Sequence, residues 1–277
     1  WEGMEAAFVK LRESGQECAL AYAPSPWIDL EQFSFVHNIP VASQNNGFDG
    51  LDAELLFNTT LHVQHMDNIK RWLDEGHAML RTTAAGKTAR DSFLEGECSI
   101  FFSSIADHHT IHKLTPAFGW DVQIIPHYEA VERHNSVVGG ASLWVLSGKT
   151  DEEYQAAAAY LAFLATKEEQ QFLLENTGYI PVTKSTYAAL LAEGFYSEPP
   201  LLNRDIAMKS LTWTEPTPLT SGIRLGSYIQ IRAEWVAEVE AALAGQKTMR
   251  EALDSAVQRG NDHLRRFAQT YPGQSFP

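Results

Sequence analysis

The chain has 277 residues, 44% of them hydrophobic and 20% charged, with a formal net charge of −14. That is enough apolar material for one large core or two moderate ones. The acidic balance argues against a nucleic-acid partner, whose phosphates need a basic face, though a few buried donors can still hold one small anion. No run of about 18 apolar residues predicts a membrane-spanning helix.

A helical period starts at once, with Met4, Ala7, Phe8 and Leu11 on one face. No signal-peptide pattern or cap precedes it, as expected of a mature or truncated chain. Cys18-Ala-Leu-Ala-Tyr22 reads as a short buried strand ended by Pro24 and Pro26. Helices follow over about 27–38, 61–75 and 89–95, separated by Gln44-Asn-Asn-Gly-Phe-Asp-Gly50, whose residues tolerate positive φ. Cys98 to Ser104 is the clearest strand, with helical sequence from Ile105. Further strands are expected at Trp120–Pro126 and at Ser136–Leu146, the latter interrupted by Gly139 and Gly140. Beyond residue 150 the pattern is helical: Asp151 is expected to cap an alanine-rich helix, and two long helices close the chain at about 228–244 and 248–271. The tail from Pro272 to Pro277 is expected to be loosely held. Cys18 and Cys98 each open a predicted strand and fit one disulfide or two buried thiols, the thiols being the plainer reading.

The alternation of strands and helices points to an α/β architecture, and the chemistry in it is sparse. Gly86-Lys-Thr88 resembles the end of a phosphate loop, but Arg81 stands where the first glycine belongs. Gly140-Ala-Ser142-Leu-Trp144 lacks the closing glycine of a nucleophile elbow. His108, His109 and His112 lie on a predicted helix, where His108 and His112 share a face, but no third ligand is evident and surface histidines are the expectation. No catalytic constellation, metal site or cofactor is predicted.

Binding chemistry is better represented. Ser103 and Ser104 follow a strand, where helix N-termini offer N–H groups to a ligand; capping that helix is the competing role. Gly139-Gly140 permits close backbone approach, or a strand bend. Trp27 suits an apolar platform, or the first core position of its helix. Arg232 sits among Ile229, Ile231 and Trp235, where its charge needs a partner, either an anionic ligand or an internal carboxylate.

Several stretches carry a resemblance. Trp27-Ile-Asp-Leu-Glu-Gln-Phe-Ser34, Asn45-Asn-Gly-Phe-Asp-Gly50, Gly139-Gly-Ala-Ser-Leu-Trp-Val145, Thr177-Gly-Tyr-Ile-Pro-Val-Thr-Lys184, Gly222-Ile-Arg-Leu-Gly226 and Gln230-Ile-Arg232 occur in this order. So does the closing Ala256-Val-Gln-Arg-Gly-Asn261 with Leu264-Arg-Arg-Phe267. Together they resemble the periplasmic glycerol-3-phosphate-binding proteins of bacterial ABC importers, over nearly the whole chain. The resemblance implies a type II periplasmic-binding-protein fold of two α/β lobes, here one lobe with a helical C-terminal half and the N-terminal lobe largely missing. It divides the chain into 1–143, the first part of the C-terminal lobe; 144–183, a crossover packing toward the missing lobe; and 184–277, the helical remainder.

By the same resemblance, Ser104 and the Gly140 backbone donate to ligand oxygens, Tyr179 hydrogen-bonds a phosphate, Arg232 pairs with its charge, and Trp27 packs on the glycerol skeleton. The family's first tryptophan before Trp27 is absent, with Pro24-Ser-Pro26 in a shortened turn, leaving room for a glycerophosphodiester such as glycerophosphocholine. The implied protein is a periplasmic, monomeric, non-enzymatic receptor that delivers an anionic solute to an inner-membrane permease. A sugar or oligosaccharide receptor of the same fold is the first alternative, and a glycerophosphodiester hydrolase built on His108, His109 and His112 the second.

Overall fold

The computed structural model describes residues 1–114, 116–199 and 201–272; the expected loose tail from 273 onward lies outside them. In chain order the elements are α1 (Glu2–Glu13), β1 (Cys18–Tyr22), a π-type helical turn (Pro26–Gln32) running into α2 (Phe33–Val36), the single turn α3 (Ser43–Gly47), α4 (Thr60–Asp74), β2 (Ala78–Leu80), α5 (Ala89–Leu94) and β3 (Cys98–Phe101). Then follow α6 (Ala106–Leu114), α7 (Asp151–Leu164), α8 (Lys167–Asn176), α9 (Lys184–Ala192), α10 (Ile206–Leu211), α11 (Tyr228–Leu243) and α12 (Met249–Thr270).

All five residues of β1 are buried, the continuous apolar run of a strand covered on both faces. It is the middle strand of a parallel sheet ordered β2-β1-β3. Parallel neighbours need crossovers, and α4 and α5 supply them. The register sets Cys18 opposite Cys98, and the two sulfurs form a disulfide that closes 80 residues of chain. The thiol reading is therefore corrected: cysteines opposite each other on adjacent strands lie within bonding reach.

Two expected strands do not form. Residues 120–126 and 136–146 are irregular, because a strand exists only where a partner backbone accepts its ladder, and none does so among the described residues. The second segment instead leaves Val138, Leu143, Trp144 and Leu146 more than half exposed. Asp151 is also corrected: the cap of α7 is Thr150, whose side chain accepts from the Glu153 amide in a capping box.

Contacts group the described residues into two units that interleave along the chain. The first comprises 1–102, 125–137 and the described residues from 212 to 272. Its core joins Phe8, Leu20, Phe33, Phe57 and Trp72 to Ile231, Trp235 and Val239 of α11 and to Leu253 and Leu264 of α12. Here the predicted packing stripes hold. The Asn-rich turn α3 takes positive φ at Gln44, Asn45 and Asn46. The buried Asn46 side chain accepts from the Val41 and Ala42 amides, at 2.9 and 3.0 Å, and donates to the Leu219 and Gly222 carbonyls. Arg224 N–H donates to the Asn46 carbonyl at 2.9 Å. Two of the resembling stretches, 45–50 and 222–226, thus form one structural lock.

The second unit comprises 103–124 and 138–211. Its small core is Leu174, Leu190, Tyr196 and Leu201. The apolar α7 buries no residue, and Tyr160 and Phe163 stand at least half exposed.

The first core also holds three histidines. His37 Nδ1–H donates to the Phe33 carbonyl and its Nε2 accepts from the Tyr128 amide. Ser34 gives its proton to the Leu30 carbonyl, so His62 donates to Ser34 from Nε2 and accepts from Thr59 at Nδ1. His65 stacks on Phe33 at 4.1 Å. Both His37 and His62 use both nitrogens as neutral rings, and burial lowers them to about 4 and about 3, with His65 held well below its ordinary value for the same reason. Asp29 opposes them: burial raises it to about 7, against donors at Ser25 N and Tyr22 OH.

Two measurements follow. The unfolded chain protonates its histidines near 6.5, before the folded one does, so their contribution is complete above that pH and is lost as pH falls toward about 4. Asp29 has the opposite sign, its contribution lost as pH rises from its ordinary 3.8 through about 7. With the three buried histidines set against Asp29 and the smaller rises of Glu31 and Asp67, the melting temperature should be lower at pH 4.5 than at pH 7.5; an unchanged or higher value would contradict the neutral core. Separately, reduction of Cys18–Cys98 should cost about 4 kcal/mol, seen as a lower urea midpoint in dithiothreitol and absent in the Cys18→Ser/Cys98→Ser variant.

Candidate functional site

The expected binding residues fall into two groups. Trp27 and Arg232 belong to the first unit, and Ser104, Gly140 and Tyr179 to the second.

In the first unit, Pro24 and Pro26 force the chain out of β1 into the π-type turn, and Asp29 fixes its start by accepting from the Ser25 amide at 2.9 Å. Trp27 is left half-buried at the rim while Asp29 to Gln32 go inward. Its ring shares a pocket of about 570 Å³ with Ser25, Arg232, Val236 and Glu240. Trp27 is therefore a wall residue. The pocket is built from the turn on one side and one face of α11 on the other.

Arg232 projects from α11 and is already engaged. Its Nε donates to Glu31 Oε1 at 2.6 Å and its Nη2 to Oε2 at 3.2 Å, the two-point geometry that suits guanidinium and carboxylate. Burial raises the Glu31 carboxyl, and the adjacent Arg232 charge pulls it back down. The internal carboxylate is thus the partner that the sequence left open. Arg232 still keeps 37% of its side-chain surface, against 6% for Glu31, and lies over the Tyr228 ring at 5.9 Å. What faces the pocket is the outer edge of a guanidinium whose charge is largely balanced from behind.

In the second unit, Ser104 caps α6, its Oγ accepting from the Ala106 amide at 3.3 Å. Ser103 donates to Asp107 one turn on. Both serines are exposed. Gly178 lies hard against the same helix start: a Cβ there would come within 2.1 Å of the Ala106 Cα. The turn that carries Tyr179 is thereby pressed onto the N-terminus that Ser104 caps. Arg204, buried, pins the turn from below, donating to the carbonyls of Leu174, Thr177 and Tyr179 at 2.7, 3.0 and 3.3 Å. Gly140 takes φ +137°, and a Cβ on it would stand 3.8 Å from the Tyr179 ring. Ser104, Gly140 and Tyr179 are brought into one neighbourhood, with the Tyr179 ring 53% exposed.

The histidine cluster is corrected. His108 is buried and packs against Trp120 at 4.9 Å, and burial lowers it to about 4, whereas His112 is exposed. The two lie one turn apart, one buried and one exposed, and no group of three His, Cys, Asp or Glu able to hold a metal occurs among the described residues. Sequence reasoning missed Glu31, Glu240 and Arg204. Glu31 lies 201 residues from its partner, a pairing that a single sequence does not signal. Arg204 in Asn203-Arg-Asp205 looks like any charged loop.

Residues 1–203 match the family model of the bacterial extracellular solute-binding proteins. The sn-glycerol-3-phosphate-binding periplasmic protein UgpB of Escherichia coli K12 and that of Shigella flexneri are each 36% identical over 273 residues, or 98% of this chain. The chain spans about 61% of the length of these relatives. Among solved structures, the cyclic α-maltosyl-1,6-maltose binding protein of Arthrobacter globiformis is 21% identical with a TM-score of 0.69, covering 95% of this chain and 63% of its own. Maltose-bound MalE3 of T. maritima is 16% identical with a TM-score of 0.64, covering 96% and 64%. These likenesses are ones of fold, and the fold is that of the type II periplasmic binding proteins. No described helix is long and apolar enough to cross a membrane.

Gly178→Ala should lower the stability of the second unit by about 1–3 kcal/mol through overpacking against Ala106. It should also speed amide exchange at 177–179 while leaving β1 unchanged; unaltered exchange there would show that the turn does not depend on this contact.

Proposed function

The chain belongs to the bacterial extracellular solute-binding proteins, and from that premise we propose that it is the solute-binding component of an ABC importer for glycerol 3-phosphate or a glycerophosphodiester. It works in the periplasm and hands its solute to a membrane permease. The observation that carries this reading is 36% identity across 98% of the chain to proteins named for sn-glycerol 3-phosphate binding.

The residues have roles consistent with it. Trp27 offers an apolar wall for the glycerol carbons, and the outer edge of Arg232 donates to phosphate oxygens. In the second unit, Tyr179, the Gly140 backbone and Ser104 are the proposed hydrogen-bonding groups. The carboxylate of Glu31 behind Arg232 keeps the guanidinium in place before the solute arrives, so less ordering entropy is lost on binding. Residues 144–183 are proposed as a segment that packs toward a further lobe, since α7 buries none of its residues and the relatives carry more chain than the matched part.

A second reading has its own support. Because Glu31 already balances Arg232, and Trp27 and Val236 give the pocket apolar walls, a neutral sugar would also fit its chemistry.

Calorimetry separates the two. Glycerol 3-phosphate should bind, and Arg232→Ala should weaken it by about 10- to 100-fold, the equivalent of one charged hydrogen bond of about 1.5–3 kcal/mol. Maltose should respond little to the substitution. Maltose binding with glycerol 3-phosphate inert would overturn the first reading in favour of the second.

A further inference from the structure

The chain passes between its two units four times, at 102/103, 124/125, 137/138 and 211/212. Three of these crossings are gripped on the first unit's side, two of them by side chains of one short segment, 125–137, and the third by Gln32. Arg133 Nη1 donates to the carbonyl of Ile125, the first residue after the second crossing, at 2.5 Å. Its guanidinium lies over the ring of Trp213, two residues after the fourth crossing, at 5.2 Å. Asn135 closes a reciprocal pair with Thr214, donating from Nδ2 to its carbonyl at 2.8 Å and accepting from its amide at 2.7 Å. Gln32 does the same for Val137, the last residue before the third crossing, at 2.8 and 3.2 Å.

The segment is in turn anchored to the core. His134 N–H donates to the Val36 carbonyl at 2.8 Å, and the Tyr128 amide donates to His37. Arg133 itself is only 4% exposed, and among the described residues no carboxylate pairs with it. Burial pulls the group down to about 10. A buried cation without a counter-charge is costly and persists only where its contacts are otherwise needed. Its contacts here are a backbone carbonyl at one crossing and a ring at another, 88 residues apart in sequence.

We propose that Arg133 and Asn135 form a clamp that ties together two of the linking peptides where they leave the first unit, with Gln32 holding the third at Val137, so that movement between the units is confined to the few residues beyond these points. They are positioning residues, and the inference does not depend on which solute is bound. Hinges of this kind are a few residues at element ends that absorb the backbone change. The clamp defines where the rigid part stops.

Chymotryptic cleavage of the native chain tests it. Trp213 is 51% exposed, and its following peptide bond is held by Asn135, while Trp144, at 85% exposed in the second unit, serves as an internal reference. In Arg133→Met and, separately, in Asn135→Ala, cleavage after Trp213 should rise about tenfold relative to cleavage after Trp144, with no new cuts after the core residues Trp72 and Trp235. Arg133→Lys, which keeps the charge but not the planar stack, should rise as well. An unchanged Trp213-to-Trp144 ratio in both principal variants would overturn the clamp. Cuts at Trp72 and Trp235 rising in parallel would overturn it too, by showing that these residues support the unit as a whole.

Discussion

The first unit depends on the burial of one five-residue strand. β1 has no solvent face, so each of its neighbours is required. β2 and β3 take its backbone hydrogen bonds on either side. Leu20 and Tyr22 join the large core that α4, α11 and α12 complete, and Ala21 joins the small cluster around the disulfide. The strand arrives at the surface only at Ala23, where prolines turn it into the helix that carries Trp27 outward and Glu31 inward. The pocket wall and the carboxylate behind Arg232 are therefore placed by the strand's end, as ligand sites in open α/β sheets generally are. The disulfide secures the opposite end of the same strand pair.

The pocket's electrostatics follow from that placement. A guanidinium on α11, with apolar side chains on the inward face of the same helix, would be expensive without a counter-charge, and Glu31 supplies it from a buried position. The pair makes the unliganded pocket stable, and it also weakens the pull on an anion, since any phosphate that approaches Arg232 meets a half-neutralised group. In the role proposed above, such an arrangement would serve release of the solute as well as its capture. The guanidinium supplies fixed direction and two-point geometry, while the carboxylate keeps the attraction modest.

Much of this was legible in the sequence, and the failures share a cause. Periodicity located α1, α4, α5, α11 and α12 because each buries a stripe set by its own neighbours in sequence. Strand β1 was legible because its apolar run is short and bounded by prolines. The segments 120–126 and 136–146 have strand composition as good as β1, but ladder formation needs a second backbone that local pattern does not report. Long-range pairings were opaque for the same reason: Glu31 with Arg232, Arg133 with Trp213, and Cys18 with Cys98 each join residues 80 or more apart. The Asn45–Gly50 and Gly222–Gly226 stretches were legible as important but not as partners. Their positive-φ residues and glycines signalled special backbone, and only the structure shows that Asn46 ties the two together.

The two units differ in how complete they are in themselves, and this bears on function. The first encloses aromatic side chains on every side, with Trp72 and Trp235 at 0% and 1% exposure. The second has a core of four residues and leaves the apolar α7 and the 138–146 segment in solvent. A helix apolar on most of its faces ordinarily marks a buried position, which is what the proposed packing of 144–183 toward a further lobe would supply. Of the groups in the second unit nearest to a ligand role, Gly140 lies in the exposed 138–146 segment, whereas Tyr179 and Ser104 flank the start of α6. Those two sit where Gly178 is pressed onto α6 and where Arg204 holds three carbonyls together. That local packing is made within the unit, from contacts between 104–106 and 174–204. The placement of Tyr179 and Ser104 is therefore set by contacts already present.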